Sequence, residues 1–348
     1  MLTIGELEAV EQAHRAAQAR VGVMAGLIAR DEWMTLNPAN PSRGSYGLMM
    51  RLLRFILGLR SVSRRLTRSY YRLARALETG YTLDENGEAT TLDDLRGEFE
   101  ADLNRVKDVL FDWDDATAEE KSAAEEARSL AGEDRDAWNP GELSDALEDW
   151  LSAVDGDGDV KGEKHAWDDD RIKSVDDARK AFQKVIGDNG ITDLEQKIRA
   201  LKRRFPDDPD RLLAELDNAF LVNRDLLAGT VDKAVMDGGR ELSDSTVRRD
   251  RRARLVARGT GGNPCHFCAM LASRGFVYAS ERAAVAGWHP NCHCYAITRW
   301  SDDSPLPESN AYYQAMWDKV TGAYYGQDKV KAWRKWLGPI RVRNGGKL

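Results

Sequence analysis

Outside one thirty-residue window the chain has no cysteine: all four lie between Cys265 and Cys294. A disulfide framework needs partners spread along the chain and an oxidising compartment, so it explains this distribution poorly. Long hydrophobic runs are lacking too. The most apolar stretch, Tyr46 to Leu59, is interrupted by Arg51 and Arg54 and falls short of the ~18 uncharged residues that a helical membrane span requires. No membrane partner is expected. The opening residues, MLTIGELEAVEQAH, place acidic side chains where a secretory leader needs a basic start and an apolar core, so a cytoplasmic chain is expected. Runs of β-branched residues are scarce, which favours helix and weighs against an all-β enzyme. There is no internal repeat and no long low-complexity linker.

What is present is a 348-residue chain, 42% apolar and 31% charged, long enough for two or three globular parts. Its net charge of −7 hides a strong asymmetry. Residues 81–170 hold 30 Asp or Glu against 8 Lys or Arg, which leaves the remainder of the chain strongly positive. The split predicts a solvated acidic module flanked by segments able to face phosphate. Trp113, Trp138, Trp150 and Trp167 punctuate the acidic stretch and argue that it packs against something. Asp155-Gly156-Asp157-Gly158-Asp159 begins like a calcium loop. Val160 stands at its sixth position where Gly is required, and Ala166 at its twelfth in place of Glu, so it reads as a plain acidic loop.

Apolar periodicity and stop signals give the helices. Ile4 to Arg30 reads as one, halted before Asn37-Pro38, and Tyr46 to Glu78 as a second, ended by Gly80. The second carries Arg51, Arg54, Arg60, Arg64, Arg65, Arg68, Arg72 and Arg75 mostly three or four apart, along one or two adjoining faces. Helical patterns follow at 93–110, 116–130 and 141–154. Ser174 with Asp177 forms a capping box opening a helix to Ile186, and Ile191 to Phe205 is another. From Asp210 to Met236, Leu212, Leu213, Leu216, Phe220, Leu221 and Leu226 form a stripe expected in the core. The chain therefore reads as mainly α: an elongated helical N-terminal and middle region with a small α+β zinc-knuckle C-terminal domain. The parts are a helical N-terminal region (1–80), an acidic helical module (81–170), a helical connector (171–245), the zinc-binding domain (246–300) and a helical tail (301–348).

The chemistry concentrates in Cys265-His266-Phe267-Cys268 and, twenty residues on, His289-Pro290-Asn291-Cys292-His293-Cys294. A C-x-x-C turn supplies two thiolates, and a second ligand pair closes a tetrahedron around Zn2+ at about 2.3 Å per Zn–S bond. Cys265 and Cys268 leave two places for His289, Cys292 and Cys294. Residues two apart on an extended segment stand roughly 6.6 Å apart, so unless the chain bends, one of Cys292 and Cys294 stands behind the metal-bound sulfurs. Buried unliganded thiols would not gather all four cysteines and three of the five histidines in one window. A redox C-x-x-C would want a βαβ setting, which is lacking. A catalytic zinc keeps an open position and a nearby Glu. Here His289 is followed by Pro290-Asn291 and five candidates fill the sphere, so the zinc is read as structural. Between the ligand groups, Met270 to Gly275 suggests a helical turn with a Gly stop, and Phe276-Val277-Tyr278 a short strand. So small a unit would owe its folding largely to the metal.

The string C-x-F-C-A-M-L-A-S-R-G-x-V-Y, followed by W-H-x-x-C-x-C, resembles the C-terminal domain of the MuF-like minor capsid, or head morphogenesis, proteins of tailed bacteriophages, in the form found in phages of actinobacteria. The resemblance is specific over 250–300 and generic elsewhere. His293, where the Mu-like form often carries Arg, is a small departure. The resemblance implies a virion protein made beside the phage portal protein, placed in the capsid interior near the portal after assembly in the host cytoplasm. The portal and the major capsid or scaffold protein would be its partners, with DNA packaging or ejection as further roles. Arg248, Arg249, Arg251, Arg252 and Arg254, with Arg258 after them, are candidate contacts to packaged DNA or to an acidic portal surface, against the plainer reading of a solvated helical face.

Two other functions compete. A capsid maturation protease would need a Ser with a positioned His, and His14 and His165, the histidines outside the cluster, sit in no nucleophile motif. A toxin-like module would need more than the fifty or so residues after Cys294. The reading is therefore a non-enzymatic head protein whose tail, with Trp317, Trp333 and Trp336, docks back on the body or on a partner.

Overall fold

The computed structural model describes residues 4–38, 40–109, 140–154, 156–260, 264–278, 280–284 and 293–343. The fold is mainly helical. Three long helices organise it: α1 (Ile4–Met34), α2 (Ser45–Thr79) and, much later, α7 (Pro209–Val247). At about 1.5 Å per residue they run roughly 45–60 Å each. Gly80 ends α2 in the left-handed conformation, its amide returning to the Ala76 carbonyl, as the sequence predicted.

The three helices cross closely because small residues meet at the contacts. On α1, Ala13, Ala16, Ala17, Ala25 and Ala29 are buried. A Cβ added at Gly22 would lie 2.1 Å from Asp232, and one at Gly239 would lie 2.4 Å from the Thr67 hydroxyl and 2.7 Å from that of Ser63. Gly238-Gly239, just past the expected helical stretch ending at Met236, are thus interior residues of α7 at its crossing with α2, and the helix continues for two more turns to Val247. The leucine stripe also needs correction. Phe220 is buried, but Leu213 is 62% and Leu226 42% exposed, and the face turned inward carries Ala219, Leu227, Ala228, Val231, Ala234 and Val235.

Between α2 and α7 run β1 (Tyr81–Asp84), β2 (Thr90–Thr91), α3 (Leu92–Val109), α4 (Pro140–Ala153), β3 (Asp159–Lys164), α5 (Val175–Asn189) and α6 (Ile191–Arg204). The acidic stretch is thus not helical throughout. β3 pairs in parallel with β1 (Tyr81 opposite Lys161) and antiparallel with β2 (Thr90 opposite Val160). The helical pattern at 116–130 lies outside the described residues. The loop read as acidic rather than calcium-binding starts α3: the Gly158 carbonyl accepts from the Leu92 amide at 3.0 Å and the Asp157 carboxylate from the Asp93 amide at 3.3 Å. The capping box opens α5, where the Ser174 hydroxyl accepts from the Asp177 amide at 3.1 Å.

One buried cluster runs from Val10 to Trp300 and takes residues from α1 through α7, so the segments 1–80, 81–170 and 171–245 share a core. The charge asymmetry closes inside it. Arg60 of α2 bonds Asp170 and Glu241, Arg68 meets Glu85, Arg72 meets Glu98, and Arg75 meets Glu163 and Asp250. Arg60 and Arg75 are fully buried. The arginine-rich helix therefore turns much of its charge onto the acidic stretch instead of offering it to phosphate. No helix among the described residues is long and apolar enough to cross a membrane.

Candidate metal centre

After α7 the chain forms β4 (Leu255–Gly259), α8 (His266–Ala272), the short α9 (Glu281–Ala284), β5 (Tyr295–Arg299) and the tail helices α10 (Glu308–Thr321) and α11 (Gln327–Arg343). β4 and β5 pair antiparallel, with Arg258 opposite Ala296 and Gly259 opposite Tyr295. Gly259 is required there, because a Cβ would meet the Tyr295 ring at 2.4 Å. Phe276-Val277-Tyr278 is not a strand; Tyr278 spends its amide on the Val256 carbonyl at 3.3 Å. The expected stop is present in Gly275, at φ 66°.

Cys265 sits at the N-cap of α8, and its sulfur accepts from the Cys268 amide at 3.4 Å. The two sulfurs stand 3.3 Å apart. Two thiolates on one tetrahedral zinc stand roughly 3.8 Å apart, so the pair is close to that spacing. Cys294, immediately before β5, is buried with Cys268 in one small cluster against which Cys265 packs. Three of the five predicted ligands therefore converge, brought together by one helix start and one strand start. His289 and Cys292 lie outside the described residues. Among the described residues no three His, Cys, Asp or Glu side chains hold a metal by themselves. The chemistry of the donor set, soft sulfurs at a turn with amide support, fits zinc, which Cys265, Cys268 and Cys294 would hold with a further donor.

Arg258 belongs here and not to an outer surface. It is fully buried, and its guanidinium donates to the Cys268 sulfur at 3.2 Å and to the Ala284 carbonyl at 3.1 Å. A buried cation at that distance favours the thiolate over the thiol. The sequence showed only a basic residue shortly before the C-x-x-C turn; strand pairing is what aims it inward. His293, beside the cluster, turns to Asp232 of α7 at 3.1 Å, and Arg240 donates to the Cys294 carbonyl at 3.0 Å.

The other arginines divide. Arg248 pairs with Asp244, Arg249 with Asp168 and Arg252 with Glu163, the last also lying 3.8 Å over the Tyr81 ring. Arg251 and Arg254 are exposed. Arg249 and Arg252 thus tie the acidic stretch to the segment that leads into the cysteine cluster. Asp250 is its hub: Arg75 donates at 2.9 Å, Tyr71 at 2.9 Å, Trp300 at 2.8 Å and the Arg252 amide at 3.0 Å. Burial opposes ionisation of Asp250, but the bond from Arg75, with those from the Arg252 amide and Trp300, outweighs it and holds the carboxyl below the usual range. Arg299 of β5 makes a second buried tie, to Glu11 of α1.

The tail covers the other side of α8. Tyr313, Trp333 and Leu337 are buried against Ala269 and Ala272, and the Trp333 indole donates to the His266 carbonyl at 2.9 Å.

A family model described as VG15 protein matches residues 110–320, more than half of the chain. The chain belongs to the VG15 protein family. VG15 is a phage virion-gene family, so this is a phage protein of the virion. The VG15 match takes in α7, every metal-ligand candidate and all of the arginine run, and leaves α1, α2 and α11 outside. Neither the curated proteins nor the solved structures compared with this VG15 member give a match.

Proposed function

We propose that this VG15 protein is a minor capsid protein of the MuF-like kind. It acts in head morphogenesis beside the portal, inside the capsid, with a structural zinc folding its C-terminal end. The observation that carries the reading is the meeting of Cys265, Cys268 and Cys294 at the starts of α8 and β5, beside the buried Arg258. It is supported by the family membership and by the resemblance of the string from Cys265 to Tyr278. The sulfurs of Cys268 and Cys294 and their cationic neighbour Arg258 are buried, which suits a metal that staples chain and not one that holds substrate. Portal and capsid or scaffold protein are the proposed partners.

The test is to purify particles carrying wild-type protein or the Cys265→Ser/Cys268→Ser double variant. Zinc content, incorporation of the protein and cleavage of the capsid subunit are then compared. Loss of zinc together with exclusion from heads, with capsid cleavage unchanged wherever heads form, is the expected result. Particles that incorporate the protein but leave capsid subunits uncleaved would replace this reading with a maturation protease.

A further inference from the structure

The outer face of the tail is basic. Residues 327–339 contain four Lys or Arg and one acidic residue, Asp328, in a chain whose net charge is −7. In α11 the inward face is fixed by Trp333 and Leu337, both fully buried. Helical geometry then turns Lys331, Arg334 and Lys335 outward together, and all three are exposed. Lys331 shares its charge with Asp328 at 2.8 Å, both groups being well exposed. The turn leading into α11 presents Tyr324, 46% exposed, and Tyr325, 86% exposed. This face contrasts with α2 and with the arginine run before β4, whose cations are largely consumed by carboxylates of the chain.

We propose that this face, Lys331, Arg334 and Lys335 of α11 with Tyr324 and Tyr325 beside them, binds the phosphate backbone of duplex DNA without regard to sequence. Ammonium and guanidinium groups one helical turn apart form a row along a rigid helix, and phenol hydroxyls donate to phosphate oxygens as well. Duplex DNA is the occupant chosen because it offers such a face a dense, regular row of negative charge; an acidic protein is the alternative that competition by polyglutamate tests. The inference deepens the phage-head reading, on which it rests for the DNA the chain would meet. DNA binding by the purified chain and incorporation into heads are read separately, so either can fail alone.

The experiment is fluorescence anisotropy of a labelled random-sequence duplex titrated with the full-length protein at rising salt. Three to four phosphate contacts predict a log–log salt slope of roughly −3, so affinity falls some fifty- to a hundredfold between about 50 and 200 mM salt. Lys331→Glu/Arg334→Glu/Lys335→Glu is expected to lower affinity at least tenfold at low salt and to flatten the slope. The neutral Gln triple does so more weakly, and serves if the charge-reversed chain has an altered circular dichroism spectrum. Undiminished binding by a folded triple variant overturns the proposal. So does loss of binding only in Arg251→Glu/Arg254→Glu, or competition by polyglutamate as strong as by unlabelled DNA.

Discussion

Around Trp33, Leu52 and Val231 the body buries large side chains from seven helices in one continuous cluster, whereas the C-terminal end encloses Ala269, Ala272, Tyr313, Trp333 and Leu337 beside three cysteines. Apolar burial at about 25 cal/mol per Å2 is ample for the first and slight for the second. The body therefore stands on packing and on buried ion pairs between its basic and acidic stretches. The C-terminal end has less packing to stand on, and the structural metal proposed above would add free energy there in one place. The two are joined by buried ion pairs, Asp250 to Arg75 and Arg299 to Glu11, and by Val256 and Trp300, which pack into the body's own cluster, so how far loss of order spreads from one end to the other is a measurable property of this seam.

The largest expected effect breaks the comparison at its weaker side. Cys268→Ser should remove the metal and with it stabilisation on the order of 10 kcal/mol from the C-terminal end. Hydrogen exchange is expected to accelerate over residues 264–278 and 293–343 while amides of α1, α2 and α7 stay protected; equal acceleration in both would show that the ends are one cooperative unit. Next comes the joint itself. Asp250→Ala leaves the phenol of Tyr71 without its acceptor and Arg75 with Glu163 as its remaining carboxylate partner, at a cost of about 1.5–3 kcal/mol in urea unfolding. Within the body, Gly239→Ala forces a methyl group against Ser63 and Thr67 and should cost roughly 1–3 kcal/mol, seen as a lower melting temperature with zinc content unchanged.

At neutral pH the smallest effect is that of His14, which emerges only as pH falls. Burial pushes His14, stacked on Tyr70 at 4.0 Å, down to about 3. The folded chain keeps this ring neutral while the unfolded chain protonates it below about 6.5, so the body is at full strength above that pH and loses stability progressively as pH falls toward 3. His14→Phe is expected to shallow the acid limb of the melting curve; an unchanged limb would assign it to carboxylates such as Asp250 alone.

The sequence disclosed what is decided locally. Gly80 and Ser174 with Asp177 each act within a few residues, and each does in the fold what its spacing implied; the Cys265-x-x-Cys268 turn forms locally too, as the N-cap of α8. Partners far along the chain stayed hidden. The arginines of α2 read as a free basic face because Glu85, Glu98, Glu163 and Asp170 lie remote in sequence. Arg258 read as one more surface cation because only the β4–β5 register turns it to Cys268. The strands were missed for the same reason: two to six residues carry too little periodicity to announce a pairing settled by distant chain. Leu213 and Leu226 misled in the opposite sense, since a helical stripe tells which residues share a face and not which face is covered.

The indole rings of Trp317 and Trp336 lie 5.4 and 4.9 Å from that of Trp333, whose ring nitrogen is bonded to the carbonyl between the two cysteines of the turn. Three chromophores so close share their electronic transitions, and their mutual orientation is fixed only while α8, α10 and α11 stay together. The C-terminal end thus carries its own optical signature, a coupled aromatic band through which the metal capture proposed above could be followed in real time without labelling the chain.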